Sequence, residues 1–246
     1  MAGLTADEHV PIPTLKAEWR TLTFLHWPVP PARVQAVLPA GLTVDEYDGA
    51  AWIGLTPFVM GAMRPLGLPL LPSPGGRLPS ALPDLSSTPE TNLRTYVRGP
   101  DGRDGVWFLS MDVGNPILAF TARGLLGAPY RFGRLTVEPR SGVVAYAGFG
   151  AFGQERYRLR VRPGERVRPS PLEVWLSGRW RLYTHHLGRL LATPVEHEPW
   201  PLQAADCEHL EENLTDGAGV LVSGRPLAHF AEKVAEVRAG VPRIVG

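Results

Sequence analysis

Apolar and polar residues alternate with a period of two along much of this chain, and proline, glycine, Asp-Gly or Ser-Gly interrupt the alternation at short intervals. That pattern predicts many strands joined by tight turns. Residues 16–27 (Lys-Ala-Glu-Trp-Arg-Thr-Leu-Thr-Phe-Leu-His-Trp) are rich in aromatic and β-branched residues and predict a strand, ended by Pro28, Pro30 and Pro31. Pro31 suits the first turn of a short helix from Ala32 to Leu38. Leu42–Tyr47 and Ala50–Met60 predict a strand pair around the turn Asp48-Gly49. Further strands are predicted at 90–98 and 105–113 across Pro100-Asp101-Gly102, and at 130–138, 143–149 and 154–162, with Ser141-Gly142 as a hairpin turn. Arg179–Thr184 and Gly188–Glu198 predict another pair, and 226–240 a last one.

The period of a helix is sparse. Asn115-Pro116 reads as an N-cap and first helical position, followed by the apolar residues Ile117, Leu118, Phe120, Leu125 and Leu126. Pro171–Leu176 predicts a short helix and 203–213 a weak one. Residues 61–89 stand apart, with Pro65, Pro69, Pro72, Pro74, Pro79, Pro83 and Pro89 among several glycines. Proline removes donors and breaks both ladders, so this stretch predicts neither a central strand nor a helix. It reads equally as a loop packed over a pocket through Leu66, Leu68, Leu70 and Leu71, or as a mobile excursion. With no βαβ rhythm, no linker and no repeat, the expected fold is a single domain over 1–246. Its class is α+β, mostly β: an antiparallel barrel or sandwich with a few short helices at its ends.

Composition narrows the chemistry. Only two of the 25 basic residues are lysines, Lys16 and Lys233, each near a terminus. Lysine Schiff-base or lysine-base catalysis therefore has two candidates. A net charge of +1 gives no bulk field for nucleic acid or an anionic membrane surface, and neither is expected as a partner. Cys207 is the single cysteine, so an intrachain disulfide and a Cys-rich zinc site are excluded. No basic start precedes an apolar run and no stretch of about 18 apolar residues exists, so no secretory signal or membrane span is expected and a cytoplasmic location is the simplest reading.

The densest chemistry lies on strand 90–98. Glu90, Asn92, Arg94, Tyr96 and Arg98 share one face; Thr91, Leu93, Thr95 and Val97 share the other. The pattern alone favours a polar face in water, as in most antiparallel sheets. The functional alternative places the face in a barrel, where Arg94 supplies a bidentate fork, Asn92 an orienting amide and Glu90 a general base. Asp112 ends a strand just before Asn115 and either reaches the same cavity or helps to end the strand. His26, between Leu25 and Trp27, reads first as a hydrogen-bonded core residue and second as a ligand contact. Arg179, Arg181 and Tyr183 share a face that could close an anion site or simply be solvated. His185-His186, Glu196-His197-Glu198 and Cys207-Glu208-His209 carry metal-ligand types without a compact motif, and adjacent strand residues point to opposite faces, so no metal is expected. Phosphate-loop, dinucleotide and Gly-x-Ser-x-Gly signatures are absent, and no cofactor is expected.

Several blocks carry a resemblance. Phe-Leu-His-Trp-Pro-Val-Pro-Pro (24–31), Leu-Pro-Ala-Gly-Leu (38–42), Asp-Gly-Ala-Ala-Trp-Ile-Gly-Leu-Thr-Pro-Phe (48–58), Pro-Glu-Thr-Asn-Leu-Arg-Thr-Tyr-Val-Arg (89–98) and Leu-Tyr-Thr (182–184) are similar, in order, to the YqjF-like family, over roughly 16–240. That family is distantly related to acetoacetate decarboxylase, whose signature the segment Ala119 to Gly133 resembles. Arg123, Gly127 and Pro129 match that signature, Ala122 stands where glycine is usual, and Tyr130 stands where the decarboxylase has its Schiff-base lysine. The resemblance implies an antiparallel β-barrel of the acetoacetate decarboxylase-like type, with the Glu90–Arg94 face inward. A phenol forms no imine, so it implies no Schiff-base decarboxylation. It makes Arg131 the cation next to the former nucleophile, a role for which the decarboxylase is the standard example. The expected site is Glu90, Arg94 and Tyr130 in acid–base or electrostatic roles, with Asn92, Tyr96, Asp112, Arg123, Arg131 and His26 around a small carbonyl or carboxylate ligand. A non-catalytic ligand-binding barrel and a protein-interaction module remain open. So does a homo-oligomer.

Overall fold

The computed structural model describes residues 2–65, 87–150 and 156–246. Its strands are β1 (Leu15–Val29), β2 (Thr43–Val44), β3 (Ala51–Pro65), β4 (Ser87–Arg98), β5 (Asp104–Val113), β6 (Tyr130–Arg140), β7 (Val143–Gly150), β8 (Arg156–Arg166), β9 (Arg181–His186), β10 (Arg189–Glu196), β11 (Leu202–Glu212), β12 (Leu227–Ala239) and β13 (Arg243–Ile244). Four short helices interrupt them: α1 (Pro31–Gln35), α2 (Pro116–Leu126), α3 (Pro171–Ser177) and α4 (Leu214–Gly217). Among the described residues no helix is long and apolar enough to cross a membrane.

The strands form one sheet that closes twice. A nine-strand barrel runs through β4, β5, β6, β7, β8, β11, β12, β1 and β3. A second, seven-strand ring branches off, because β5 pairs β9 near Val106 and β6 near Met111, while β12 pairs β11 near Phe230 and β10 near Ala239. With β9 and β10 paired to each other, strands β12, β1, β3, β4 and β5 become a wall common to both rings. Successive side chains on these strands point to alternate rings. Leu25, Trp27, Ile53, Leu55 and Leu93 fill the nine-strand lumen with Tyr146, Tyr157 and Leu159. Phe24, Phe58, Met60 and Val237 point to the smaller ring.

Two bulges set this phase. Thr21 in β1 and Ala62 in β3 take the left-handed conformation, with φ of 52° and 48°. Each lies where the β1–β3 register shifts. Each moves the following residues by one step, so Ala17 and Leu22, or Met60 and Met63, face the same core despite the broken alternation.

Most predicted turns and strands appear, including the left-handed pairs Asp48-Gly49 and Ser141-Gly142. Several expectations are corrected. Residues 203–213 are strand, not helix, because β11 completes the barrel between β8 and β12. Residues 226–240 form one long strand rather than a pair. The first strand continues through Pro28, and that from Leu42 shrinks to two residues. The ends of the proline-rich segment are strand: Pro65 pairs with Leu15 and Pro89 with Val59. The rest of that segment, 66–86, lies outside the described residues. The sheet is not wholly antiparallel, since β5–β6 and β5–β9 are parallel. α2 begins at the predicted N-cap Asn115, yet Ile117 and Phe120 on it are exposed, Phe120 by 82%.

Candidate functional site

β4 sits within the common wall, between β3 and β5, which is why neither of its faces is solvated. Glu90 is 1% exposed and Asn92 7%; Thr91, Leu93, Thr95 and Tyr96 are buried as well. The Glu90, Asn92 and Arg94 side chains line a cavity of about 130 Å³ in the seven-strand ring. Trp19, Phe58 and Met60 come from β1 and β3, Phe108 and Met111 from β5, Tyr130 from the start of β6. Arg179, Arg181, Val195, His197 and Trp200 approach from β9, β10 and the segments beside them, and Val237 from β12.

Tyr130 reaches Glu90 because β6 starts beside Met111 of β5, and Val113 of β5 lies opposite Glu90. The phenol hydroxyl donates to the Glu90 carboxyl, 3.3 Å from each oxygen. Burial pushes the Glu90 pKa up to about 8, against the pull of hydrogen bonds from Asn92 and Tyr130. Burial, and then the Glu90 charge, hold the Tyr130 hydroxyl well above its ordinary range. At neutral pH the pair is therefore largely a carboxylic acid beside a neutral phenol.

Arg94 is held by aromatic faces and a carbonyl. Its guanidinium lies 5.4 Å from the Phe24 ring centre and 5.7 Å from that of Tyr96. One terminal nitrogen donates to the Leu176 carbonyl at the end of α3 (3.3 Å). α3 is placed by its capping box, Ser170 with Glu173, and Glu173 also binds His229 on β12 at 2.6 Å. Glycine at 54 leaves the room, since a Cβ there would lie 3.2 Å from His26 and 3.3 Å from Arg94. No ion pair reaches Arg94 among the described residues. Among the described residues its buried Nε and the buried Oδ1 of Asn92 have no hydrogen-bond partner.

The other two arginines on the cavity wall are neutralised. Arg179, its side chain 1% exposed, bridges Asp45 at 2.7 Å and Asp104 at 3.1 Å and stacks over Trp175. Arg181 pairs with Asp7 at 3.3 Å and Glu8 at 3.8 Å, both in the N-terminal segment that crosses this side. His197 donates from Nδ1 to the Glu198 carbonyl (2.6 Å), and burial lowers its pKa to about 4, so it is a neutral imidazole with Nε2 as an acceptor.

The expected site residues divide by side-chain parity. Glu90, Asn92, Arg94 and Tyr130 come together on the cavity. Tyr96 and His26 stand behind Arg94, joined by a 2.7 Å hydrogen bond, and support it rather than line the space. Asp112 and Arg131 do not reach it: they pair with each other at 2.8 Å on the opposite face, beside Thr91 and the Tyr157 hydroxyl. Arg131 directly follows Tyr130, and consecutive side chains on a strand point to opposite faces. Arg123 is exposed on α2 and is not part of the cavity wall. Sequence reading missed Trp19, Phe58 and Trp200 and took His197 only as a metal-ligand type; the Pro-Trp-Pro break at 199–201 was the available signal, since prolines on both sides restrict the backbone that carries that indole. The two lysines lie elsewhere: Lys16 borders a surface groove with Arg64 and Arg238, and Lys233 pairs with Glu18. Among the described residues no cluster of three or more His, Cys, Asp or Glu is arranged to hold a metal ion.

Comparison with known proteins agrees with this architecture. The solved structures similar in fold include an acetoacetate decarboxylase-like enzyme from Sphingomonas wittichii RW1 (TM-score 0.65, 19% identity, 94% of this chain and 93% of that one). They include the enduracididine biosynthesis enzyme MppR complexed with pyruvate (0.68, 16%, 98% and 93%). Acetoacetate decarboxylase from Legionella pneumophila is similar as well (0.65, 12%, 97% and 90%). The chain thus has the acetoacetate decarboxylase-like fold. In sequence it is 32% identical to the uncharacterized protein YqjF of Bacillus subtilis strain 168 over 225 residues, 89% of this chain and 88% of that protein. Residues 16–235 match DUF2071, described as an uncharacterized conserved protein, and the chain belongs to that family.

Proposed function

We propose that the cavity binds a small carboxylate or carbonyl compound and can act on it by acid–base or electrostatic means. The observation that carries this reading is Arg94: a cation on the cavity wall with no carboxylate partner among the described residues, next to a Glu90 that burial keeps largely protonated. A half-buried guanidinium without a counter-charge attracts an anion, and a ligand carboxylate supplies one in a bidentate geometry. The unpartnered Asn92 Oδ1 and Arg94 Nε give further polar contacts. Glu90 and Tyr130 form the acid–base pair, with a carboxyl pKa of about 8 that suits proton transfer near neutrality.

Schiff-base decarboxylation is not part of this reading. Neither lysine borders the cavity, and Tyr130 cannot form an imine. MppR and the decarboxylase share the fold, not this argument. Borohydride in the presence of acetoacetate should leave the protein mass unchanged; a covalent adduct would overturn the exclusion. Calorimetric titration with small carboxylates should show binding that Arg94→Gln weakens at least tenfold, and no binding to any of them would sink the proposal. Glu90→Gln separates catalysis from simple binding: turnover is lost in the first case, and affinity largely persists in both. A cytoplasmic location fits a protein with a single thiol and small-metabolite chemistry.

A further inference from the structure

The cavity wall is part polar and part aromatic. In its aromatic part Trp19 and Trp200 stack with centres 5.5 Å apart and planes 9° from parallel, and Phe58, the cross-strand neighbour of Glu90, meets Trp19 edge-on at 5.9 Å. The His197 ring meets Trp200 at 4.6 Å and Trp19 at 5.4 Å. Trp19 and Trp200 are only half-buried, so these rings border the space rather than fill it. The charge is close by. Arg94 lies 5.4 Å from the centre of Phe24, which lies 5.0 Å from that of Trp200. A water-sized position needs roughly 10–15 Å³, so about 130 Å³ holds on the order of ten non-hydrogen atoms.

A bare two- or three-carbon acid would satisfy Arg94 and leave the aromatic wall in contact with water. Resting on the carboxylate reading above, we infer that the ligand is an aryl-substituted monocarboxylate, its carboxylate on Arg94 and its ring against Trp19, Phe58 and Trp200. Flat rings gain edge-to-face and offset contacts there that an alkyl chain of equal size does not. The neutral His197 adds an apolar ring face and no second charge. One positive charge matches one carboxylate, because Arg179 and Arg181 already have partners.

The test is calorimetric titration of the full chain at neutral pH with phenylacetate, acetate and the uncharged phenylacetamide. Phenylacetate should bind at least tenfold more tightly than either of the others. Phe58→Leu and Trp200→Leu should each weaken phenylacetate about five- to tenfold and leave acetate unchanged, while Arg94→Gln should weaken both acids. The Phe58 variant keeps the test available should the Trp200 variant fail to fold. Acetate binding as tightly as phenylacetate would overturn the aryl assignment and leave the carboxylate reading standing. Phenylacetamide binding as tightly as phenylacetate, or no binding by either acid, would overturn the carboxylate reading itself.

Discussion

At the scale of single residues, Glu90 makes the sharpest prediction. Its pKa is about 8 in the folded protein and near 4.5 when unfolded, so between these values the folded state holds a proton that the unfolded chain has released. Stability then falls as pH rises from about 4.5 to 8 and is level beyond. Glu90→Gln removes that slope. Urea unfolding of both proteins between pH 5 and 9 should show the variant gaining about 2–4 kcal/mol relative to the parent as pH rises. Parallel curves would mean that Glu90 ionises normally in the fold. The spacing of Glu90, Asn92 and Arg94 was legible because period two survives along β4. The places of Asp112, Arg131 and Trp19 were less so: the first two depend on which way one strand step faces, and the third on the bulge at Thr21, which no propensity marks.

At the scale of elements, local signals worked where local chemistry decides the outcome. Asn115 accepts hydrogen bonds from the backbone of Ile117 (2.9 Å) and Leu118 (3.1 Å), with Pro116 at the first helical position. Asn115→Ala should cost about 1 kcal/mol in thermal or urea unfolding, and Asn115→Ser should restore most of it. The same change bears on the site, because α2 leads by way of Gly127, at φ 62°, into Tyr130. Local signals failed where a partner strand decides. Residues 202–212 carry a helix-tolerant sequence, Leu-Gln-Ala-Ala-Asp-Cys-Glu-His-Leu-Glu-Glu, yet the open edges of β8 and β12 recruit them into the barrel. The same holds for Pro65 and Pro89, which the sequence excludes from a central strand and the sheet accommodates at the ends of β3 and β4.

At the scale of the whole molecule, barrel closure was foreseeable from the run of strands and the resemblance, but the second ring was not. It exists because β5 and β12 each change partner part-way along, a long-range event with no local signature. The smaller ring is fastened by charge. Removing Arg179 leaves Asp45 and Asp104 short of a buried cation, so Arg179→Met should cost about 3–5 kcal/mol in urea unfolding. The N-terminal segment is a looser fastening, since Asp7 and Glu8 meet Arg103, Arg181 and Arg243 in partly exposed pairs. Asp7→Asn with Glu8→Gln should cost about 2–3 kcal/mol, less than Arg179→Met although Arg181 is buried, and the part carried by the exposed Arg103 and Arg243 should shrink in high salt. Amide exchange should then quicken in residues 2–10 while β7 and β8, on the far barrel, keep their protection. The same double change releases Arg181 on the cavity wall, so a small carboxylate should bind more tightly than to the parent. Unchanged affinity would mean that Arg181 does not share the ligand's field, and uniform quickening of exchange would mean that these ion pairs hold the whole fold rather than one strap across it.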